Sequence, residues 1–118
     1  MKQLDIVIPH ERLDEVNKIL YSHKVGGLMF YDIKGRGRAK PEPVPETVRA
    51  YRTGRTYVPE FGTRTKIEVL VPDSLAQQIV QSILTSLSTG SAADGKLFIK
   101  DVAEAYDIGT KQSGEVAL

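Results

Sequence analysis

Residues 65–87 read TKIEVLVPDSLAQQIVQSILTSL, and a change of periodicity inside this stretch decides the fold. Thr65, Ile67, Val69 and Val71 alternate with Lys66, Glu68 and Leu70, the period-two pattern of a strand with one face on a core. Pro72-Asp73-Ser74 marks the switch, and Ser74 stands three residues before Gln77 with the spacing of a capping box. Beyond it Leu75, Ala76, Ile79, Val80, Ile83, Leu84 and Leu87 recur at helical spacing and make one apolar stripe. Gly90 closes the helix.

The same alternation of patterns extends in both directions. Residues 2–8 place Leu4, Ile6 and Ile8 on one face of a strand that Pro9 ends. From Glu11 to His23 the positions Leu13, Val16, Ile19 and Leu20 follow a helical period. Glu11, Asp14 and Glu15 near the start and Lys24 at the end suit the helix dipole. Gly26-Gly27 is the expected stop, and residues 28–33 form a second strand. After the central helix, residues 96–102 form a fourth strand, and a polar tail from about residue 104 to 118 carries a short strand near residues 105–108. Strand, helix, strand, strand, helix, strand predicts an α+β ferredoxin-like sandwich, an antiparallel sheet with both helices on one face, in a single domain spanning residues 1–118. Val7, Met29 and Leu70 point to the uncovered face, so a homo-oligomer is expected.

Between the second and third strands runs a stretch without periodicity. Residues 34–66 hold nine Lys and Arg against Glu42, Glu46 and Glu60, a local charge of +6 that leaves the rest of the chain at −5. Four of the chain's six prolines also lie here. Loops longer than about 12–15 residues are commonly functional, and a basic one suits an anionic partner. This predicts a long recognition loop at about residues 37–63.

Composition excludes several classes of chemistry. The chain has no cysteine, hence no disulfide framework, thiolate metal site or cysteine nucleophile. His10 and His23 lack a ligand-like spacing, so no metal site is predicted. Asp14, Glu15, Asp101 and Glu104 read as solvated residues rather than an acid–base pair, and no Ser, Thr or Lys has an evident activating partner. No catalytic centre is expected. No signal peptide or apolar run of about 18 residues is present, which predicts a cytoplasmic protein.

Two stretches suit phosphate. Lys34-Gly-Arg-Gly-Arg38 places two glycines and three cations at a strand end, where backbone N–H groups and guanidinium forks can meet an anion. Thr89-Gly-Ser-Ala-Ala-Asp-Gly-Lys96 is a hydroxyl- and glycine-rich loop ending in a lysine, without the spacing of a P-loop.

Taken together these residues resemble the PII nitrogen-signalling proteins over nearly the whole chain. The likeness rests on Leu13-Asp14 and Val16, Gly27, Lys34-Gly35-x-Gly37-Arg38-x-Lys40, and Tyr57 nine residues before Lys66-Ile67-Glu68. It continues through Val71-Pro72-Asp73, Thr89-Gly90, Asp94-Gly95-Lys96-x-Phe98, Asp101-Val102-Ala103 and Gly114-Glu115. The resemblance implies a non-enzymatic regulator, a homotrimer with ATP or ADP in the clefts between subunits. It further implies that the long loop engages a partner, an ammonium-channel type of transporter or a metabolic enzyme. Carried over by position, the nucleotide-binding residues are Met29, Gly35, Gly37, Arg38, Leu70, Ala93, Asp94, Gly95 and Lys96.

The departures carry expectations of their own. Met29 stands where the family has a threonine, and Ala93 where it has a glycine. Asp107 and Gly109 stand in place of two phosphate-binding arginines. Each charge-assisted contact of that kind contributes roughly 1.5–3 kcal/mol, so weakened triphosphate binding is expected. Arg36, Lys40, Arg64 and Lys66 are the candidates for compensation. Ala39 replaces the glutamine that holds magnesium and 2-oxoglutarate, and Arg64 replaces a lysine that contacts 2-oxoglutarate, which predicts weak or absent 2-oxoglutarate sensing. Tyr57 aligns with a tyrosine that some members carry nucleotidylated. Two other readings stay open: a PII-like sensor of a different small anion or nucleotide with a non-nitrogen partner, and a nucleic-acid module using the basic loop. The loop lacks regular aromatic interleaving, which argues against the second.

Overall fold

The computed structural model describes residues 1–38 and 61–118. Strand β1 (Lys2–Ile8) leads through a 3-10 turn, His10–Arg12, into helix α1 (Leu13–Ser22) and strand β2 (Met29–Gly35). Strand β3 (Gly62–Val71), helix α2 (Asp73–Leu87) and strand β4 (Lys96–Asp101) repeat the pattern. The strands pair antiparallel in the order β2-β3-β1-β4, so the ferredoxin-like sandwich expected from the periodicities is present.

One face of the sheet makes the core. Leu4, Ile6 and Ile8 of β1 and Ile67, Val69 and Val71 of β3 meet Val16 and Leu20 of α1 and Ala76, Ile79, Val80, Ile83 and Leu87 of α2. Full burial of each large aliphatic side chain contributes about 1.5–3 kcal/mol. The alternation in residues 65–71 and the stripe in residues 75–87 therefore mark two halves of one interface.

Three local expectations are corrected. Ser74 does not cap α2: the helix starts at Asp73 with Pro72 at its N-cap and no side-chain cap bond. The Asp73 carboxylate instead pairs with the Met1 ammonium at 3.0 Å, and Pro72 needs no partner for an N–H it lacks. Helix α1 stops at Ser22, well before Gly26-Gly27, because Lys24 itself takes the left-handed conformation at φ 61°. Backbone N–H groups of Lys24 and Val25 then close on the carbonyls of Tyr21 (2.9 Å) and Leu20 (3.1 Å). Strand β3 begins at Gly62, three residues before the alternation becomes readable, because Gly62 and Thr63 pair with Gly35 and Lys34 of β2.

The other face of the sheet is more charged than expected. Gln3, Asp5, Lys66, Glu68 and Lys100 occupy its centre, while Met29 lies toward one end and is 57% exposed. Asp5 is only 2% exposed; Lys100 Nζ lies 2.7 Å from its carboxylate, Gln3 Nε2 donates to it at 2.8 Å, and Lys66 Nζ stands at 3.9 Å. Burial pushes the Asp5 carboxyl up, but the hydrogen bonds and the two lysine charges together hold it below its ordinary value. Hydrogen bonds likewise lower Glu15 (chiefly from Arg12), Asp94 (from Thr89), Asp101 (from Lys2) and Asp107 (from the Thr110 backbone). Carboxyls lowered in the folded state stabilise it above the ordinary carboxylate range, and that contribution is lost as pH falls through their folded values. Stability is expected to stay level above about pH 5 and to decline below about pH 4. Urea midpoints at pH 6, 4 and 3 check this; an unchanged midpoint at pH 3 would contradict it.

Candidate functional site

The sheet separates the residues singled out in the sequence into two groups. In the β2–β3 register Met29 stands opposite Glu68, and Gly35 stands opposite Gly62. The six residue steps between those pairs span about 20 Å at the rise of a strand. Gly35, Arg36, Gly37, Arg38 and Arg64 cluster at one end; Met29 and Leu70 belong to the other.

The loop preceding β4 lies between the two groups. Val7 of β1 is paired with Lys66 of β3 on one side and with Lys96 of β4 on the other, and Lys66 with Tyr31 of β2, so Lys96 stands two residue rows from Met29–Glu68 and four from Gly35–Gly62, with the loop before it on the side of the basic end. The loop is built by Asp94. Its carboxylate accepts from the Thr89 hydroxyl and backbone N–H, both at 2.7 Å, and from the Ser91 N–H at 3.3 Å. Ser91 Oγ returns the bond by accepting from the Ala93 N–H at 3.0 Å. Among the described residues a side-chain capping box is thus at Ser91–Asp94, where a 3-10 turn of residues 92–94 begins. Asp94 shapes the loop rather than presenting a free carboxylate, and the hydrogen bonds that hold it favour its ionised form.

Gly95 fixes the loop against the sheet. Its φ is +126°, and a Cβ there would sit 2.1 Å from the Val7 carbonyl oxygen. A glycine is required because the backbone lies directly on β1. Behind the loop a cavity of about 220 Å³ is walled by Ile6, Ile8, Leu84, Asp94, Gly95 and Lys96.

The far end of the strands holds a larger apolar slot of about 460 Å³. Gly27, Met29 and Leu70 line it together with Lys24, Glu68 and, from the tail, Glu115. Its volume lies within the ~300–1,000 Å³ usual for small-molecule pockets. Glu68 is held at the rim by the Tyr31 hydroxyl, which donates at 2.7 Å, and by Lys66 Nζ at 3.6 Å. The polar tail contributes more than its composition suggested. In place of a strand at residues 105–108 there is a single bridge between Tyr106 and Ser113, followed by a 3-10 turn, Gly114–Ala117, that folds back over the slot. Gly114 was the legible signal for this turn; what the turn covers was not, since that depends on contacts across the whole chain.

Asp107 and Gly109, which stand in place of basic residues in the resemblance, form a tight turn. The Thr110 N–H donates to the Asp107 carboxylate at 3.0 Å, so this carboxylate is engaged by its own turn. Ala39, Lys40 and Tyr57, and most of the long loop, lie outside the described residues.

Among the described residues no cluster of His, Asp or Glu is arranged to hold a metal, and no helix is long and apolar enough to cross a membrane. The nearest approach to a catalytic relay is His10 Nδ1 at 2.9 Å from Thr65 Oγ1, which donates to Asp32 at 3.4 Å. Thr65 is fully buried, so the hydroxyl serves as a bridge between β3, β2 and the turn after β1 rather than as a nucleophile.

Comparison with known proteins converges on one family. The family model described as nitrogen regulatory protein P-II matches residues 1–112. The nitrogen regulatory protein P-II 1 of Escherichia coli K12 is 33% identical over 118 residues, covering all of both chains. The nitrogen regulatory proteins P-II of Cereibacter sphaeroides and Haemophilus influenzae are 36% and 32% identical, again over the full length of both chains.

Proposed function

Because the chain belongs to the nitrogen regulatory protein P-II family of signal-transduction proteins, we propose that it is a non-enzymatic cytoplasmic regulator that binds an adenine nucleotide between copies of itself. The observation that carries this reading is the opposed chemistry of the two ends of β2. One end offers glycines, Arg36, Arg38, Arg64 and the loop of Lys96, which suit phosphates. The other offers a largely apolar slot lined by Met29 and Leu70, with Lys24, Glu68 and Glu115 at its edge, which suits a nucleoside. The ends lie about 20 Å apart along one strand, so a single nucleotide joins the slot of one copy to the basic end of the next. A closed ring, a homotrimer, satisfies every such site.

The regulatory step is a shift of population. A ligand touching Gly37 and Arg38, at the root of the long loop, favours one loop arrangement and so biases binding to a transporter or a metabolic enzyme. Magnesium and 2-oxoglutarate have a small role in this scheme, because the position expected to hold them is Ala39. Isothermal titration calorimetry with ATP, ADP and AMP, each with and without magnesium and 2-oxoglutarate, tests it. Saturable binding of ATP or ADP at one per chain, unmoved by 2-oxoglutarate, is the expected result. No heat with any nucleotide would overturn the reading.

Arg38→Ala is expected to weaken ATP binding roughly 10- to 100-fold, the equivalent of losing one charge-assisted phosphate contact. The oligomer measured by light scattering should be unchanged. Equal affinity in the variant would remove Arg38 from the site.

A further inference from the structure

Thr65 joins three elements through one hydroxyl. Its Oγ1 lies 2.9 Å from His10 Nδ1, in the turn after β1, and donates to the Asp32 carboxylate of β2 at 3.4 Å. Asp32 stands directly opposite Thr65 in the β2–β3 register. Thr65 is fully buried while His10 and Asp32 are exposed, so both ends of the relay meet solvent and its middle does not. Among the described residues β2 is an edge strand that pairs with β3 alone. It ends at Gly35, ahead of Arg36, Gly37 and Arg38. How firmly β2 is held therefore decides how firmly the basic end is anchored to the sheet.

We propose that His10, Thr65 and Asp32 form a pH-sensitive latch on β2, closed when His10 is protonated. Its working does not depend on a bound nucleotide. A hydroxyl has one proton to donate. The neutral imidazole has a tautomer with a bare Nδ1, which accepts that proton and leaves Asp32 without a donor from Thr65. An imidazolium carries N–H on both ring nitrogens, so Nδ1 donates to Oγ1 and the Thr65 proton is left for Asp32. The relay then starts on a cation and ends on a carboxylate, and both of its bonds are charge-assisted. Protonation thus turns a hydroxyl shared between two neighbours into a bridge from the turn to β2, and the longer bond, Thr65 to Asp32, is the one that closes. Histidine changes charge between about pH 5 and 8, which sets the range of the latch. The other charges around it are accounted for. On the Thr65 face of the sheet β2 presents Asp32 and Lys34, and β3 presents the uncharged Thr63 and Thr65. An imidazolium attracts Asp32 and repels Lys34, and of the two Asp32 is the one joined to it, through Thr65. Its own turn adds Glu11 and Arg12, and Arg12 is held by Glu15 at 2.8 Å. From the loop before β4, Asp94 is engaged by Thr89.

The test is residue-resolved amide hydrogen exchange of the full-length chain, His10→Gln and Thr65→Val, at about pH 5.5 and about pH 8, on either side of the histidine range. Rates are corrected for the intrinsic effect of pH, and the amides of α2 verify that each variant is folded. In the parent, exchange at residues 30–34 is expected to be about threefold slower at the lower pH, the effect of one modest hydrogen bond on opening of an edge strand. The difference should vanish in His10→Gln, which cannot titrate, and in Thr65→Val, which has no hydroxyl to relay the proton. If Thr65→Val does not fold, Asp32→Ala replaces it, since Asp32 is exposed, and the difference should vanish there as well. Equal corrected rates at the two pH values in the parent would overturn the latch. So would a pH difference that survives in either variant.

Discussion

Replacing Gly95 with alanine is expected to destabilise the fold by about 3 kcal/mol or more and to abolish binding at the basic end of the sheet. Two costs combine. At φ +126° an L side chain is strained by roughly 1–3 kcal/mol whatever space surrounds it. Here there is no space: the new Cβ would stand 2.1 Å from the Val7 carbonyl oxygen and 3.3 Å from the Ile8 Cα. Neither atom is the end of a flexible side chain. Val7 belongs to β1, which is hydrogen-bonded to β3 on one side and β4 on the other. Relief must therefore come from moving the loop and Lys96 off the sheet, a form of overpacking that itself costs about 1–3 kcal/mol. Urea denaturation measures the stability and ATP titration the binding. Gly90→Ala is the informative control. Gly90 has φ +87° but nothing within 4 Å of its absent Cβ, so the strain is present without the collision. Equal losses in the two variants would show that the contact with β1 is unimportant.

The second large effect is expected in the core. Ile67 is fully buried on β3, directly opposite Ile6 of β1, with α1 and α2 above. Ile67→Ala should cost about 2–5 kcal/mol, the loss of burial plus the cavity that close-packed neighbours on both strands prevent from collapsing. Ile67→Val removes one methylene and should cost about 0.5–1.5 kcal/mol. Tyr21, 81% exposed on α1, supplies the contrast: Tyr21→Ala should fall within about 0.5 kcal/mol of the parent. Denaturant midpoints with unchanged slopes would support this order. A loss at Ile67 no larger than at Tyr21 would contradict the placement of the core.

Much of the core was legible because it depends on periodicity alone. The residues that alternate in β1 and β3 and the stripe of α2 are the ones that become buried. The helix ends were less legible, because Ser74 and Gly26-Gly27 are signals that compete with others nearby. Pro72 and the Met1–Asp73 pair settled the start of α2, and Lys24 ended α1 without a glycine. The charged centre of the open face was missed for a related reason. Alternation put Lys66 and Glu68 off the core face, but their compensation with Asp5 requires the β1–β3–β4 register.

The candidate site divides in the same way. Residue types that suit phosphate were visible in Gly35–Arg38 and Thr89–Lys96, since glycine, arginine and lysine carry their chemistry wherever they stand. That Asp94 is consumed in shaping its loop, and that Glu115 faces Met29 across a slot, depends on residues far apart in the chain. The amino-acid sequence by itself determined the order of elements, the buried face of each and the family resemblance, because these follow from local spacing and residue type. Tertiary structure alone decided which ends of the strands share a neighbourhood, how far apart the two groups of candidate residues lie and which carboxylates are already engaged. Those are properties of strand register and long-range contact, and no local pattern encodes them.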